Sequence, residues 1–237
     1  MTATVGRFSV PSSRTLSAPE SGMELYGYFR SSAAWRVRIG LRYKAIPAIH
    51  HGVHLLREGG EQHAPAYRAL NPLGLVPTLV DGKQVLTQSM AILEYLEESH
   101  PAPPLLPRDP VARAQVRSWA QAIACDIHPL NNLRVLQYLE REMHQLEPAR
   151  HAWYRHWVIL GLEALELEIS RIRPDDRFCW GETPTLADVC LVPQLYNARR
   201  YEIELAPYPR LCRAERACYE LEAFSLTHPD HQPDAPP

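Results

Sequence analysis

A proline-rich segment, Pro-Ala-Pro-Pro-Leu-Leu-Pro at 101–107, separates two stretches of the chain whose hydrophobic patterns differ. In the stretch before it, short apolar runs typical of β-strands alternate with apolar stripes at helical spacing. In the stretch after it, the long segments have helical spacing and none is typical of a strand. The pattern therefore predicts a mixed α/β domain at 23–104 followed by an all-α domain at 109–227.

The first domain is predicted to have the element order β-α-β-α-β-β-α, which fits a mixed sheet with helices on its faces. Asp81-Gly82 is a strong signal for a tight turn, so the last two strands should form a hairpin. Ser89 is predicted to cap the last helix. The predicted strands cover 24–28, 46–55, 76–80 and 84–86, and the predicted helices cover 33–44, 62–70 and 90–99.

The second domain is predicted to contain helices only. Thr185 and Asp188 are the ends of a capping box, which predicts that a helix starts at Leu186. The polar stretch 126–134 contains Pro129 and should distort the helix in which it lies. The predicted helices cover 111–142, 151–171, 186–201 and 211–223.

The ends of the chain and its composition narrow the class of protein. Residues 1–22 are rich in Ser, Pro and Gly and are predicted to be a disordered extension, and the proline-rich 228–237 is predicted to be an irregular tail. A net charge of -2 does not favour a nucleic-acid or membrane surface. The five cysteines are odd in number and form no C-x-x-C, so we expect a reducing cytoplasm and no zinc site. His50, His51 and His54 cluster without a nearby cysteine, and no metal is expected there.

The turn Arg30-Ser31-Ser32 lies between the first predicted strand and the first predicted helix. Hydroxyls and free backbone N–H groups at a helix start can hold an anion or a thiolate. The alternative is a simple N-cap with no ligand. Arg36 and Arg38 lie in the first helical turns, where a cation opposes the helix dipole. They indicate either an acidic partner or ligand, or a solvated face.

Two further segments of the first domain could face a ligand. A cis peptide bond at Val76-Pro77 would leave the N–H and C=O of Val76 free to pair with a peptide-like ligand, whereas a trans bond would simply start the strand. Gln88-Ser89 offers a second helix start, either for a carboxylate or for plain capping.

Polar side chains of the second domain could face the same cleft. His128, Asn132 and Arg134 interrupt an otherwise helical run. A lone histidine is more often structural than catalytic, so both roles stay open for His128. Arg200 stands at a helix end, where its alternative role is charge compensation.

These motifs together resemble a known family. The segment Tyr-Phe-Arg-Ser-Ser-Ala-Ala-Trp-Arg-Val-Arg-Ile-Gly-Leu at 28–41 resembles the signature of zeta-class glutathione transferases. The resemblance covers nearly the whole chain from Met23, and it implies a thioredoxin-like N-terminal domain, an all-α C-terminal domain, a homodimer, and glutathione as cofactor. Further similar segments lie at 69–72, 76–79, 88–92, 94–98 and 187–194, and 125–132 is similar to the bacterial maleylpyruvate isomerases of this class.

The resemblance implies glutathione-dependent cis–trans isomerisation of maleylacetoacetate, or maleylpyruvate, to the fumaryl form. In that chemistry a thiolate adds to the conjugated double bond, the resulting single bond rotates, and the thiolate leaves. Carried over by position, the catalytic roles fall to Arg30, Ser31 and Ser32. The implied glutathione-binding residues are Ser31, Ser32, Arg36, Gln62, Val76, Gln88, Ser89, His128 and Asn132, and the implied substrate-binding residues are Arg30, Arg134 and Arg200.

One position departs from the family pattern. Many zeta-class members have a cysteine directly after the two serines, where this chain has Ala33. If that cysteine is essential, the chain is a weak isomerase or has another function; if it only assists, Ser31 and Ser32 suffice. Two alternative functions therefore stay open: a glutathione transferase or dehalogenase acting on α-halo acids or other electrophiles, and a non-catalytic glutathione-binding protein.

Overall fold

The computed structural model describes residues 22–236. The predicted extension at 1–22 lies outside these residues except for Gly22, and so does Pro237 of the predicted tail.

The N-terminal part contains a four-stranded mixed sheet with the strand order β2-β1-β3-β4. β1 runs parallel to β2 and antiparallel to β3, with Leu25 opposite Leu79, and β3 and β4 form the predicted hairpin. Gly82 has a φ of 57°, which the tight turn requires and which glycine adopts without a side-chain clash. The strands are β1 Met23–Gly27, β2 Ala48–Gly52, β3 Thr78–Asp81 and β4 Gln84–Thr87.

Three helices pack around this sheet, so the predicted α/β element order is confirmed. The capping prediction for Ser89 is wrong, because the helix begins at Ser89 itself and its N-cap is Gln88, with a φ of 70°. The predicted helix at 62–70 is shorter than expected and is preceded by two 3-10 turns at Arg57–Gly59 and Glu61–His63. The helices are α1 Ser32–Tyr43, α2 Pro65–Leu70 and α3 Ser89–Ser99.

The C-terminal part is helical throughout the described residues, as predicted. The distortion predicted around Pro129 is present: a π-helical turn at Ala122–Ile127 and a 3-10 turn at Pro129–Asn131 divide the predicted long helix into two. The predicted helix start after Thr185 is also confirmed, since its N–H and hydroxyl both donate to the Asp188 carboxylate at 2.8 Å. The helices are α4 Pro110–Gln121, α5 Leu133–Arg141, α6 Glu147–Ile172, α7 Leu186–Arg200, α8 Pro209–Tyr219 and α9 Glu222–Ser225.

One apolar core joins the two parts of the chain. Trp35 and Ile39 of α1 are buried in the same cluster as Trp119 of α4 and Val189 of α7. Burial of such large apolar side chains is the main stabilising term in folding. The site described below is therefore built on elements that are packed firmly against one another.

The proline-rich linker is fixed by a buried ion pair. Lys44 and Glu97 lie 2.7 Å apart, with side chains 0% and 6% exposed. The ammonium of Lys44 also donates to the carbonyls of His100 and Pro103, and the Glu97 carboxylate accepts from the N–H of Leu105. Such a pair is well compensated because its remaining hydrogen-bonding groups are satisfied.

Each helix between residues 22 and 236 is too short or too polar to span a lipid bilayer. All five cysteines are free thiols. No group of His, Cys, Asp and Glu side chains in this part of the chain could hold a metal ion.

Candidate active site

A cavity of about 230 Å³ lies between the N-terminus of α1 and the helical part of the chain. The sheet side contributes the turn before α1 and the segment before β3. The helical side contributes the break between α4 and α5 and the C-terminal end of α7. The predicted site residues that line this cavity are Arg30, Ser31, Ser32, Gln62, Val76, His128, Asn132, Arg134 and Arg200.

The serine turn has the geometry of a helix start. Ser31 is the N-cap of α1, and its Oγ accepts from the N–H of Ala34 at 3.2 Å. The N–H of Ser31 itself donates to the carbonyl of Tyr28 at 2.9 Å, which closes the turn. Because the oxygen of Ser31 is already an acceptor for Ala34, its hydroxyl proton is available to donate into the cavity.

Ser32 is the first residue of α1 and is only 4% exposed. Its Oγ lies 3.1 Å from Nδ1 of His128, which belongs to the break between α4 and α5. The pKa of His128 is lowered to about 3, chiefly by burial and then by the positive charges of Arg36 and Arg134. His128 is therefore a neutral imidazole at neutral pH and holds Ser32 by an uncharged hydrogen bond.

Three arginines give the cavity a positive rim. Arg30 precedes the serine turn, Arg134 lies in the first turn of α5, and Arg200 ends α7. None of the three forms an ion pair with a residue in 22–236. Guanidinium groups bind carboxylates through paired N–H donors, so this rim suits a ligand that carries two carboxylates.

The opposite wall offers backbone groups to a ligand. The Val76-Pro77 peptide bond is cis, and Val76 lines the cavity. Its N–H and C=O have no hydrogen-bond partner among the described residues. Gln62 is 6% exposed, and its Oε1 is buried without a partner in this part of the chain. Unpaired polar groups of this kind are costly, and a peptide-like ligand would satisfy them.

Several polar residues of the cavity are not among the site residues predicted from the sequence. Asn131 and Gln194 are buried, and amide atoms of both lack a partner within 22–236. Gln194, Asn197 and Arg200 recur at every third position of α7, which is otherwise largely apolar. That spacing places them on one helix face and is the signal that could have found them. Tyr154 and Tyr201, whose rings stack with centroids 3.4 Å apart, also line the cavity.

Three residues predicted to bind glutathione do not line this cavity in the described structure: Arg36, Gln88 and Ser89. Arg36 is 1% exposed and donates to Oγ of Ser89 at 3.4 Å, while Gln88 is exposed at the start of α3. Burial lowers the pKa of the Arg36 guanidinium, whose Nε and Nη2 have no partner in the described residues.

The solvated face that was one alternative for Arg36 and Arg38 is wrong, since both are buried. Arg38 donates instead to the carbonyls of Phe29 and Tyr28, at 2.8 Å and 3.4 Å. Ala33 is 7% exposed and likewise does not line the cavity in the described structure.

A mixed sheet of this order, a serine helix start that lines the cavity, and a following helical domain are together typical of a glutathione transferase. Residues 25–104 match the family model described as glutathione S-transferase, N-terminal domain.

Similar proteins narrow the class further. A probable maleylacetoacetate isomerase of Vibrio cholerae is 46% identical over 211 residues, which are 89% of this chain and 97% of that protein. The solved holo structure of a maleylpyruvate isomerase, a bacterial zeta-class glutathione S-transferase, has a TM-score of 0.87 at 44% identity and covers 90% of this chain and 100% of its own. A maleylacetoacetate isomerase of Anaeromyxobacter dehalogenans, solved with glutathione bound in its active site, has a TM-score of 0.81 at 45% identity and covers 91% and 99%. The chain belongs to the maleylacetoacetate isomerase family, the zeta class of glutathione transferases.

Proposed function

We propose that this chain binds glutathione and uses it to isomerise maleylacetoacetate, or maleylpyruvate, to the fumaryl form. The observation that carries the proposal is a single cavity that joins the helix-capping Ser31 to three arginines without ion-pair partners in 22–236. The serine marks a place for a thiolate, and the arginines mark a place for a dicarboxylate. The relatives at about 45% identity carry these enzyme names, which agrees with that chemistry.

The buried polar groups of the cavity fit glutathione. Ser31 and Ser32 would hold its sulfur, and the backbone of Val76 would pair with the peptide. Gln62, His128 and Asn132 would complete the shell, with the unpartnered Oε1 of Gln62 as an acceptor for a ligand N–H. Outside the lining of this cavity, at the start of α3, Gln88 and Ser89 would take the γ-glutamyl carboxylate of a ligand that extends beyond the cavity. Arg36 would act through Ser89, to which it donates.

When bound, glutathione supplies the thiolate that adds to the cis double bond and leaves after rotation. The chain favours the thiolate form because the Ser31 hydroxyl donates to sulfur and the N-terminus of α1 carries positive potential. Arg30, Arg134 and Arg200 grip the substrate's carboxylates, and Arg30, beside the serine turn, also stabilises negative charge that develops on the substrate's carbonyl oxygen. The neutral His128 keeps Ser32 oriented.

The test is the ultraviolet absorbance change of each maleyl substrate toward its fumaryl form, with and without glutathione. We expect turnover that depends strictly on glutathione. No turnover on either substrate would overturn the proposal. Halide release from α-halo acids in its place would favour the transferase or dehalogenase alternative, whose displacement step uses the same thiolate and needs no side chain at position 33.

The organisation of the protein is part of the same proposal. Residues 23–104 would form the glutathione-binding domain and 109–227 the substrate-binding domain, in a cytoplasmic homodimer. Free thiols at all five cysteines support a reducing compartment. Light scattering should give twice the chain mass of 27.0 kDa, and a monomer mass would contradict the dimer.

A further inference from the structure

The C-terminal segment of the chain returns to the first helix of the active site. Oγ1 of Thr227 accepts from the indole N–H of Trp35 at 3.0 Å. The ring of His228 packs edge-on against the same indole, with centroids 5.2 Å apart. The chain then passes through the 3-10 turn at Pro229–His231 and reaches Asp234 beside β2. The C-terminal segment is therefore held against both α1 and β2.

Asp234 is bonded directly to the turn that carries the catalytic serine. Its Oδ2 accepts from the backbone N–H of Phe29 at 2.8 Å. Phe29 is followed at once by Arg30 and Ser31, both of which line the cavity. A carboxylate is a strong acceptor for a backbone N–H, because the bond is charge-assisted.

The opposite side of the same turn is held by Arg38. Its guanidinium donates to the carbonyls of Phe29 and Tyr28. Phe29 thus donates a hydrogen bond from its N–H to the Asp234 carboxylate and accepts one at its C=O from the Arg38 guanidinium. Burial lowers the pKa of Arg38 to about 10, and the nearby Asp234 carboxylate opposes that shift, so the two charged groups lie close enough to interact.

The structure leaves room for this contact. A Cβ at Gly52 would lie 3.2 Å from the Cβ of Asp234, so the tail approaches β2 closely because position 52 has no side chain. Asp234 does not line the active-site cavity in the described structure. Its influence on the reaction must therefore pass through the turn that it holds.

We propose that Asp234 is a positioning residue for the isomerisation: by accepting from the Phe29 N–H, it aligns Arg30 and Ser31 toward the cavity. The proposal rests on the proposed function of the cavity. Small displacements of a group that holds a reacting atom cost large factors in rate. The end of the chain, more than 200 residues from the turn, is on this view a part of the active site's support.

The test compares D234A with D234N. The asparagine keeps an acceptor oxygen for the Phe29 N–H, whereas the alanine removes it. We expect kcat/KM to fall about tenfold or more in D234A and to recover most of that loss in D234N. We also expect the pKa of the bound glutathione thiol, followed by thiolate absorbance against pH, to rise in D234A. A merely structural loss of stability would leave that thiol pKa unchanged.

The matched control is D230A, at an exposed aspartate of the same tail whose carboxylate lies 3.4 Å from His228. It should leave both measurements unchanged. Wild-type values in D234A, or a D234N variant as impaired as D234A, would overturn the positioning role. Failure of the wild-type protein to bind glutathione would instead overturn the proposed function, before any variant is compared.

Discussion

Oγ of Ser32 lies 3.1 Å from Nδ1 of His128, a contact between residues 96 positions apart. It joins the serine turn of the sheet domain to the break between α4 and α5. The π-helical turn at Ala122–Ile127 and Pro129 produce that break, and such turns are frequent at functional sites. The break also brings Asn131 and Asn132 to the cavity, so the two domains share one polar surface.

Replacing Ser31 by alanine should impair both activity and stability. The S31A variant loses the hydroxyl that donates to the thiolate, and kcat/KM should fall about 10²- to 10³-fold, as on loss of one preorganised donor. It also loses the N-cap bond to Ala34, which should lower the free energy of unfolding by about 1 kcal/mol. Steady-state kinetics and denaturant unfolding measure the two effects.

A variant at a second N-cap distinguishes the loss of activity from the loss of stability. Asp109 caps α4 by accepting from Ala112 at 2.9 Å, and it does not line the cavity in the described structure. D109A should lose about 1 kcal/mol of stability as well while retaining wild-type kcat/KM. A loss of activity in D109A equal to that in S31A would mean that stability alone explains the effect.

His128 should make the protein less stable in acid. Its folded-state pKa of about 3 lies below the ordinary value of 6.5 because burial disfavours the charged ring. Between these values the unfolded chain binds a proton that the folded chain does not, so the free energy of unfolding falls as pH falls through this interval. The neutral variant H128N lacks this contribution.

The measurement is the difference in unfolding free energy between wild type and H128N, at neutral pH and at a pH midway through that interval. The difference should move in favour of H128N at the lower pH. Burial also lowers the pKa of His50 and His228, and comparing wild type with the variant cancels their common effect. An identical difference at both pH values would contradict the neutral state of His128 in the folded protein.

Much of the fold could be predicted because its signals are local. The Asp81-Gly82 hairpin, the capping box at Thr185 and the distortion at Pro129 each depend on a few neighbouring residues. The burial of Arg36 could not be predicted in the same way. Its partner Ser89 is 53 positions away, and a buried arginine has the same sequence signature as a solvated one.

The candidate site also combines residues that local motifs predict with residues that only long-range contacts bring together. Ser31 and Val76 stand in short motifs that predict their local geometry, and both line the cavity. Gln194 carries only a weak signal, its three-residue spacing from Asn197 and Arg200 on α7, and Asn131 reaches the cavity only through the break after α4. The bond between Phe29 and Asp234 spans 205 positions, and no local rule predicts a contact at that separation.

Substitutions at two neighbouring arginines at the end of α7 should affect different properties: one should change substrate binding and the other should change stability. Arg200 lines the cavity, so R200Q should raise KM for the dicarboxylate substrate about 10- to 100-fold with little change in kcat, because a carboxylate is held equally before and during the reaction. Glutathione affinity should be unchanged. Kinetics with varied substrate and calorimetry with glutathione test the two expectations.

The matched variant is R199Q. Arg199 pairs instead with Glu215, whose side chain is 4% exposed. Removing Arg199 leaves that buried carboxylate unpaired, which should lower the free energy of unfolding by about 1–3 kcal/mol. KM should stay at the wild-type value. A raised KM in R199Q and a normal one in R200Q would reverse the assignment of the substrate-facing arginine.

Installing at position 33 the cysteine that the family pattern predicts after the two serines should change the kinetics little. Ala33 is 7% exposed and does not line the cavity in the described structure, whereas Ser31 and Ser32 do. A thiol at position 33 would therefore point away from the reacting atoms. We expect the kcat/KM of A33C to lie within a factor of about three of wild type, far below the 10²- to 10⁴-fold that a positioned catalytic group supplies. A hundredfold gain in isomerisation would show that the third position takes part in the chemistry and that this chain is an impaired isomerase without it.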